Sequence, residues 1–357
     1  MSRIRRIEAV VERLVPPDAA RGYAGPDTPV FVRCRVETED GLAGTGVTGR
    51  FLAPQVAQLL STGMDEALRG AEARDIEALR ASLAKRFNPR GGTGVFVAAL
   101  SALDMALWDL NSRALGQPLW RLLGGARREV ACYATVGLPG YDEAQLAETC
   151  REWIGRGFRG VKMLVAAGGR GVEEDARRIR AVRAAIGPAA LLMLDANCGM
   201  RVPDARRLAL MVEECDIAWF EEPVVDNDLD ALAELRRSIR IPLAAGQMMQ
   251  SAAWFRDALT RGALDWLQFN AAFCGGVTGA LRVLALAEAH GVPVSHAGGW
   301  DIANAAVMAG HAHGGMLEMH GAQLALRSRL AEDMVPEGGV LALPDRPGIG
   351  FAFREAV

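Results

Sequence analysis

The stretch Ala218-Trp219-Phe220-Glu221-Glu222-Pro223 decides the fold, because a short apolar run ending in acids and a proline reads as a buried strand that delivers a carboxylate at its mouth. Working outward from Glu221, similar runs end at Asp195, 26 residues earlier, and at Gln247, 26 later. The next end at Asn270, 23 further on, at His296, another 26, and at Glu318, another 22. Each interval fits one strand, one helix and short turns. Parallel strands need a crossover of about a dozen residues or more, so the rhythm predicts consecutive βα units and not hairpins. In a closed barrel the C-terminal strand ends converge on one mouth, where such barrels hold their chemistry. The six positions then share one site.

The chain has 357 residues, about 100 more than a typical (β/α) barrel of about 250, which predicts a barrel plus a smaller domain. Half of the residues are hydrophobic, yet no run of about 18 apolar residues occurs, and Met1-Ser2-Arg3-Ile4-Arg5-Arg6 leads into charge rather than a signal-peptide core. The reading is a soluble, cytoplasmic protein with no membrane partner. Its net charge of -3 comes from 40 basic and 43 acidic residues that are interspersed, so no basic face offers itself to nucleic acid. Arg177, Arg178, Arg180 and Arg183 read as the solvated side of a helix. The six cysteines have no CxxC pairing and lie mostly in apolar runs, as buried thiols in a reducing compartment do.

Residues 2–15, 29–38 and 42–48 alternate apolar and polar, with turn chemistry at Glu39-Asp40-Gly41, and predict an antiparallel meander. The loop 16–29 carries Arg21 and Tyr23 at its tip, either in solvent or over the barrel mouth. Helical periodicity follows at 53–60, 75–87 and 93–114. Barrel strands are expected at 130–136, 158–165, 190–194, 217–220, 241–245, 265–269, 292–295 and 316–317. The last thirty or so residues lack helical period and are expected to run back over the small domain. The predicted architecture is α/β: a (β/α)7β TIM-like barrel over 126–322, an α+β capping domain over 1–125, and a C-terminal segment, 323–357, returning to the cap.

Asp195 and Glu221 end consecutive parallel strands, which places them about 5 Å apart laterally. Two acids so close repel unless something positive lies between them. One answer is a salt bridge to nearby arginines; the simpler is a divalent cation such as Mg²⁺, with Gln247 offering a third oxygen. Lys162 and His296 come from strands two and seven and would flank whatever the metal holds. A lysine in an apolar strand needs a partner, and Glu318 is either that partner or, if it keeps its proton, a hydrogen-bond donor to substrate. His290, His311, His313 and His320 lack the register of the acids, and His311 and His313, two apart on a helix, do not share a face for a metal.

The segments Leu103-Asp104-Met105-Ala106-Leu107-Trp108-Asp109-Leu110, Gly116-Gln117-Pro118-Leu119 and Leu122-Leu123-Gly124-Gly125 resemble the linker-helix signature of the mandelate racemase and muconate lactonising branch of the enolase superfamily. Leu194-Asp195-Ala196-Asn197, Phe220-Glu221-Glu222-Pro223 and Gly275-Gly276-Val277-Thr278-Gly279 are similar to further family motifs. The resemblance covers nearly the whole chain. It implies a cap built from both termini, and a barrel that uses Mg²⁺ to remove the proton alpha to a carboxylate and stabilise an enediolate. Position by position it implies Asp195 and Glu221 as metal ligands, Asn197 as a polar neighbour of substrate, and Lys162 as the first lysine of a Lys-x-Lys pair. His296 matches the histidine base and Glu318 the acid that hydrogen-bonds the substrate carboxylate; relatives commonly form homo-oligomers.

Three departures set the expectation. Leu164 stands where the second lysine, the base on the other face, would be. Gln247 replaces the third acidic ligand, as in related sugar-acid dehydratases, and lowers the protein charge around the metal. Asn270 replaces the aspartate that pairs with His296, and losing that charge in a serine-protease triad costs about 10⁴-fold in turnover. The first reading is therefore a one-base lyase that dehydrates a hydroxy acid or sugar acid, with His296 as both base and acid. Asn197, Gln247, Asn270 and Asp301 suit a hydroxyl-rich ligand. Alternatives are a racemase or epimerase, which needs a second base, and a degenerate member that binds metal and carboxylate without turnover. A phosphate cradle at Gly275-Gly276 is a weaker rival, because standard barrels put that site after strands seven and eight.

Overall fold

Strands β1 (Ile4–Arg13), β2 (Val30–Thr38) and β3 (Ala43–Thr48) pair antiparallel in chain order, as the alternation predicts. The computed structural model describes residues 2–14, 30–88, 90, 92–137, 139–327, 329–331 and 334–354; Arg21 and Tyr23 lie outside the described residues. Helix Val95–Ala114 lies on β3 with Leu100, Leu103, Leu107 and Leu110 all buried. The approach leaves no room for side chains on the strand. A Cβ at Gly44 would come within 2.1 Å of the Ala106 carbonyl oxygen, and one at Gly46 within 2.0 Å of that of Ala102.

The helix expected over 53–60 runs further. Ala53–Gln58 passes into a π-helical stretch, Leu59–Met64, and a last turn, Asp65–Leu68. Leu60, Met64 and Leu68 stay buried at spacings of four, while Ser61-Thr62-Gly63 hides the period in the sequence. The wider turn has a physical use. The Ala9 N–H donates to Ser61 Oγ at 2.8 Å and the Ile7 N–H to Asp65 Oδ1 at 2.7 Å, which satisfies backbone groups on the outer edge of β1.

The barrel strands are β4 (Glu129–Gly137), β5 (Gly160–Leu164), β6 (Leu191–Asp195), β7 (Ile217–Glu221), β8 (Leu243–Ala245), β9 (Trp266–Phe269), β10 (Val294–His296) and β11 (Leu317–His320). Each pairs parallel with the next from β4 to β10, β11 returns beside β4, and a parallel bridge between Ser295 and Met316 brings β10 to the start of β11. This is a nearly closed parallel barrel under a capping sheet and helices. Leu164 stands opposite Asp195, and Asp195 opposite Glu221. Below them Tyr133, Met193, Trp219 and Ala244 form a small buried cluster, with the Tyr133 and Trp219 rings edge to face at 5.3 Å.

The linker-helix residues interlock the parts. Asp104 accepts from the Thr278 N–H at 2.9 Å and from Arg80 at 2.7 Å, and Trp108 donates to Thr278 Oγ1 at 3.0 Å. Asp109 accepts from the backbone N–H of Thr45 at 2.9 Å and of Ile349 at 2.8 Å, tying the helix to both the capping sheet and the C-terminal segment. That segment touches the small domain, with Phe353 stacked on Phe31 at 5.5 Å. It also adds β12 (Val340–Ala342) antiparallel to β4. Three residues beside glycines are too few to show a strand period. Helix Asp301–Gly310 stops before His311 and His313, so that pair lies in a turn, where His313 Nε2 meets the Val292 carbonyl oxygen at 2.8 Å.

Candidate active site

Side chains two apart on a strand share a face, so β5 brings Lys162 to the inside of the barrel, β6 Met193 and Asp195, β7 Trp219 and Glu221, β9 Gln268 and then Asn270, and β11 Glu318 and His320. Lys162 is the hub. It is 1 % exposed, and its Nζ lies 2.7 Å from Glu221 Oε1, 2.9 Å from Glu318 Oε1 and 3.0 Å from Asp195 Oδ2. One ammonium thus pairs with three carboxylates from three strands, with a hydrogen bond to Glu221. Burial works against the ammonium, but Asp195, Glu221 and Glu318 outweigh it and hold the Lys162 pKa well above the ordinary lysine value. Lys162 is a fixed positive charge.

The acids are held from behind. Glu221 Oε2 accepts from Gln268 Nε2 at 2.7 Å and Trp219 Nε1 at 3.3 Å, and Asp195 Oδ1 accepts from the Asn197 N–H at 2.9 Å. Asn197 itself is exposed and has φ +44°, so it stands at the rim. Glu318 Oε1 accepts from the Thr135 hydroxyl and Oε2 from the Gly299 N–H, the latter at 2.7 Å. Burial opposes its ionisation, yet Lys162, His320 and His296 take its carboxyl below the usual range. Of the two roles open to Glu318, the geometry displays the lysine partner.

Glu222 follows β7 with φ +42°, and its carboxylate accepts from Gln247 Nε2 and Asn227 Nδ2, both at 2.8 Å. A fourth carboxylate, Glu222, thus stands behind the three, Asp195, Glu221 and Glu318, that surround the ammonium. Burial and then Asp195 push both Glu221 and Glu222 above the usual carboxylate range. Among the described residues no group of three His, Cys, Asp or Glu is arranged to hold a metal ion; the third position here is an amide, and Lys162 lies between the acids. The donor set still fits Mg²⁺, which favours oxygen ligands. Asp195, Glu221 and Gln247 offer such oxygens, and a divalent cation would offset the excess negative charge.

His296 ends β10 with no solvent exposure. The Glu318 N–H donates to its Nδ1 at 3.2 Å, so Nε2 carries the hydrogen that it gives to the Gly299 carbonyl. Burial takes this imidazole down to about 4. Asn270 does not bond to the ring. Its Nδ2 donates to the carbonyls of Ala297 and Gly299 at 2.8 Å each, while its Oδ1 accepts from the Ala272 N–H at 3.0 Å and Asn304 Nδ2 at 2.9 Å. An aspartate has no hydrogens for two carbonyls, which is a physical reason for the amide. Asn270 and His296 meet through Gly299, not directly.

Several residues escaped the sequence reading. His320 does have the register, since it lies two beyond Glu318 and opposite Thr135; Glu318, Lys162 and Asp195 all act on its charge. A polar residue at i+2 from a candidate acid was the available signal. Gln268, two before Asn270 in an apolar strand, gave the same signal. Arg50, in the loop after β3, also acts on the charge of His320 and is exposed above the Phe51 ring.

Acids on consecutive strand ends, an ammonium at their centre and imidazoles across the mouth define a barrel enzyme of the enolase type. Residues 4–124 match the family described as mandelate racemase / muconate lactonizing enzyme, N-terminal domain, and residues 145–357 match the enolase C-terminal domain-like family. The chain belongs to the mandelate racemase / muconate lactonizing enzyme family of the enolase superfamily. It is 34% identical over 343 residues to the D-galactarolactone cycloisomerase of Agrobacterium fabrum, covering 91% of this chain and 89% of that one. It is 28% identical over 336 residues to the arabinonate dehydratase of Saccharolobus solfataricus, covering 92% and 89%. The solved structure of a racemase from Streptomyces coelicolor A3(2) with bound magnesium superposes with a TM-score of 0.89 at 29% identity, over 98% of this chain and 97% of that one.

Proposed function

We propose that the protein is a Mg²⁺-dependent lyase that dehydrates a sugar acid or related hydroxy acid by removing the proton alpha to its carboxylate. The observation that carries the reading is the triple carboxylate clasp on Lys162. A lysine so held stabilises charge and does not take a proton. With Leu164 at the other lysine position, both imidazoles near the site, His296 and His320, come from the adjacent strands β10 and β11. Proton chemistry from one side suits elimination and not racemisation. The names of relatives, an arabinonate dehydratase and a galactarolactone cycloisomerase, point to the same substrate class.

In this reading Asp195, Glu221 and Gln247 hold Mg²⁺. When bound, the cation supplies Lewis-acid stabilisation of the charge that develops on the substrate carboxylate. Lys162 adds a preorganised positive charge at the same place. Glu318 fixes Lys162 and the Gly299 turn, Asn270 holds that turn from the other side, and Asn197 meets the substrate hydroxyls. His296 gives up its 3.2 Å bond from the Glu318 N–H to take the alpha proton on Nδ1, then returns it to the departing beta hydroxyl. The test is a 2-keto acid assay on purified protein with a panel of sugar acids, with Mg²⁺ and with EDTA. Mg²⁺-dependent keto acid from at least one member is expected. Epimer formation without keto acid would favour the racemase reading instead.

A further inference from the structure

Gln247 sets a problem for the site. As a neutral amide it removes one negative charge from a three-ligand set, and an amide has two ends, of which only the oxygen binds a cation. Glu222 answers both points.

By strand alternation Glu222, next to the inward Glu221, should point away from the mouth. Its φ of +42°, a left-handed conformation that non-glycine residues seldom adopt, turns the chain instead. Backbone bonds from the Glu222 N–H to the Ala244 carbonyl at 2.9 Å, and from the Cys198 N–H to the Glu222 carbonyl at 2.8 Å, hold the turn. The carboxylate ends 4 % exposed, each oxygen taken by one side-chain amide: Oε1 by Asn227 Nδ2 and Oε2 by Gln247 Nε2, at 2.8 Å each. Two N–H donors on two oxygens suit an ionised carboxylate, which only accepts. With its N–H end committed, Gln247 has its oxygen left for a cation. The flipped amide would set that oxygen against the carboxylate.

We propose that Glu222 is the positioning residue that makes Gln247 a metal ligand, by fixing its amide orientation and returning the third negative charge from one layer behind. This rests on the reading of Asp195, Glu221 and Gln247 as a metal centre. A charge-assisted bond to the amide N–H also polarises the amide and makes its oxygen a stronger donor. Such outer partners are worth about 10- to 100-fold in metal affinity.

The test is Mn²⁺ binding to the full chain, by calorimetry and by electron paramagnetic resonance of free Mn²⁺, without substrate. The set is the unmodified protein, Glu222→Gln, and Glu222→Gln combined with Gln247→Glu, each with a thermal melt in EDTA. Glu222→Gln is expected to weaken binding about 10- to 100-fold. The double variant, which moves the charge from behind the ligand onto it, is expected to recover most of that loss. A merely structural role would lower the EDTA melt of Glu222→Gln and would not be rescued by a new acid at 247. If Glu222→Gln binds Mn²⁺ like the unmodified protein, or the double variant is no better than the single, the proposal is overturned. Should Glu222→Gln not fold, binding by the double variant alone decides: near-normal affinity supports the proposal, and a loss of about 10-fold or more overturns it. Absence of Mn²⁺ binding by the unmodified protein would overturn the metal reading itself and this proposal with it.

Discussion

Lys162 on β5 and Glu318 on β11 meet across the intervening β4, with Nζ 2.9 Å from Oε1. The same ammonium holds Asp195 and Glu221, so one side chain binds the two acid groups of the mouth together. Replacing Lys162 by Met leaves those carboxylates buried and mutually repelling. Removing one partner of a buried ion pair costs about 3–5 kcal/mol, and urea unfolding in EDTA should show a loss of that order. Mg²⁺ should restore part of it in the same experiment, because a cation between the acids replaces the lost charge. Equal stability of the two proteins in EDTA would contradict the clasp.

The imidazole of His296 sets a pH dependence. Its folded pKa is lowered by burial from 6.5 to about 4, so between those values the unfolded chain binds a proton that the folded chain refuses. Stability from this group is complete above about pH 6.5 and falls as the pH drops toward 4. The span corresponds to about 3 kcal/mol. Glu221 and Glu222, with raised values, act in the opposite sense, so the measurement is a difference: unfolding free energy of the unmodified protein minus that of His296→Gln, from pH 7 to pH 4. That difference should shrink as the pH falls.

Asn270→Asp restores the acid found in relatives with a histidine–aspartate pair, yet here it removes the two N–H donors that hold Ala297 and Gly299. The Gly299 carbonyl keeps the hydrogen from His296 Nε2, so the loss falls on the Ala297 carbonyl, where a buried acceptor left without its donor costs about 1–3 kcal/mol. The variant should melt lower, and any dehydratase activity should fall. A gain in activity with unchanged stability would show that the amide is a degenerate acid.

Gly276 has φ +80°, and a Cβ there would lie 2.3 Å from Asp104 Oδ1. Gly276→Ala therefore disturbs the bond by which the linker helix holds the Thr278 N–H. A loss of at least about 1–3 kcal/mol is expected from backbone strain alone, read as a lower thermal midpoint.

The barrel and most of the mouth were legible because strand ends recur at one βα interval, and a carboxylate, amide or imidazole at such an end is visible against an apolar run. Asp195, Glu221, Gln247, Asn270, His296 and Glu318 share that property. Glu222 and His320 do not. Glu222 reaches the mouth only through a left-handed turn, which no period in the sequence encodes. His320 follows Glu318 by two on a strand that extends further than its apolar part. The pairing of Asn270 with backbone carbonyls instead of His296 depends on how the Gly298-Gly299 turn folds, with φ of +81° and +71°, and neither glycine announces that geometry. The π turn at Leu59–Met64 was hidden because its polar residues answer the edge of β1, far away in sequence.

One-sided proton transfer ends in loss of water. Its most direct test is incubation of the protein with Mg²⁺ and a sugar-acid panel in D₂O, with mass spectrometry of the products and chiral analysis of recovered acid. One acid is expected to lose one water while its unreacted portion keeps its configuration. Recovery of an alpha-deuterated epimer without water loss would contradict it, because that product needs a second base which Leu164 does not provide and the clasp on Lys162 withholds.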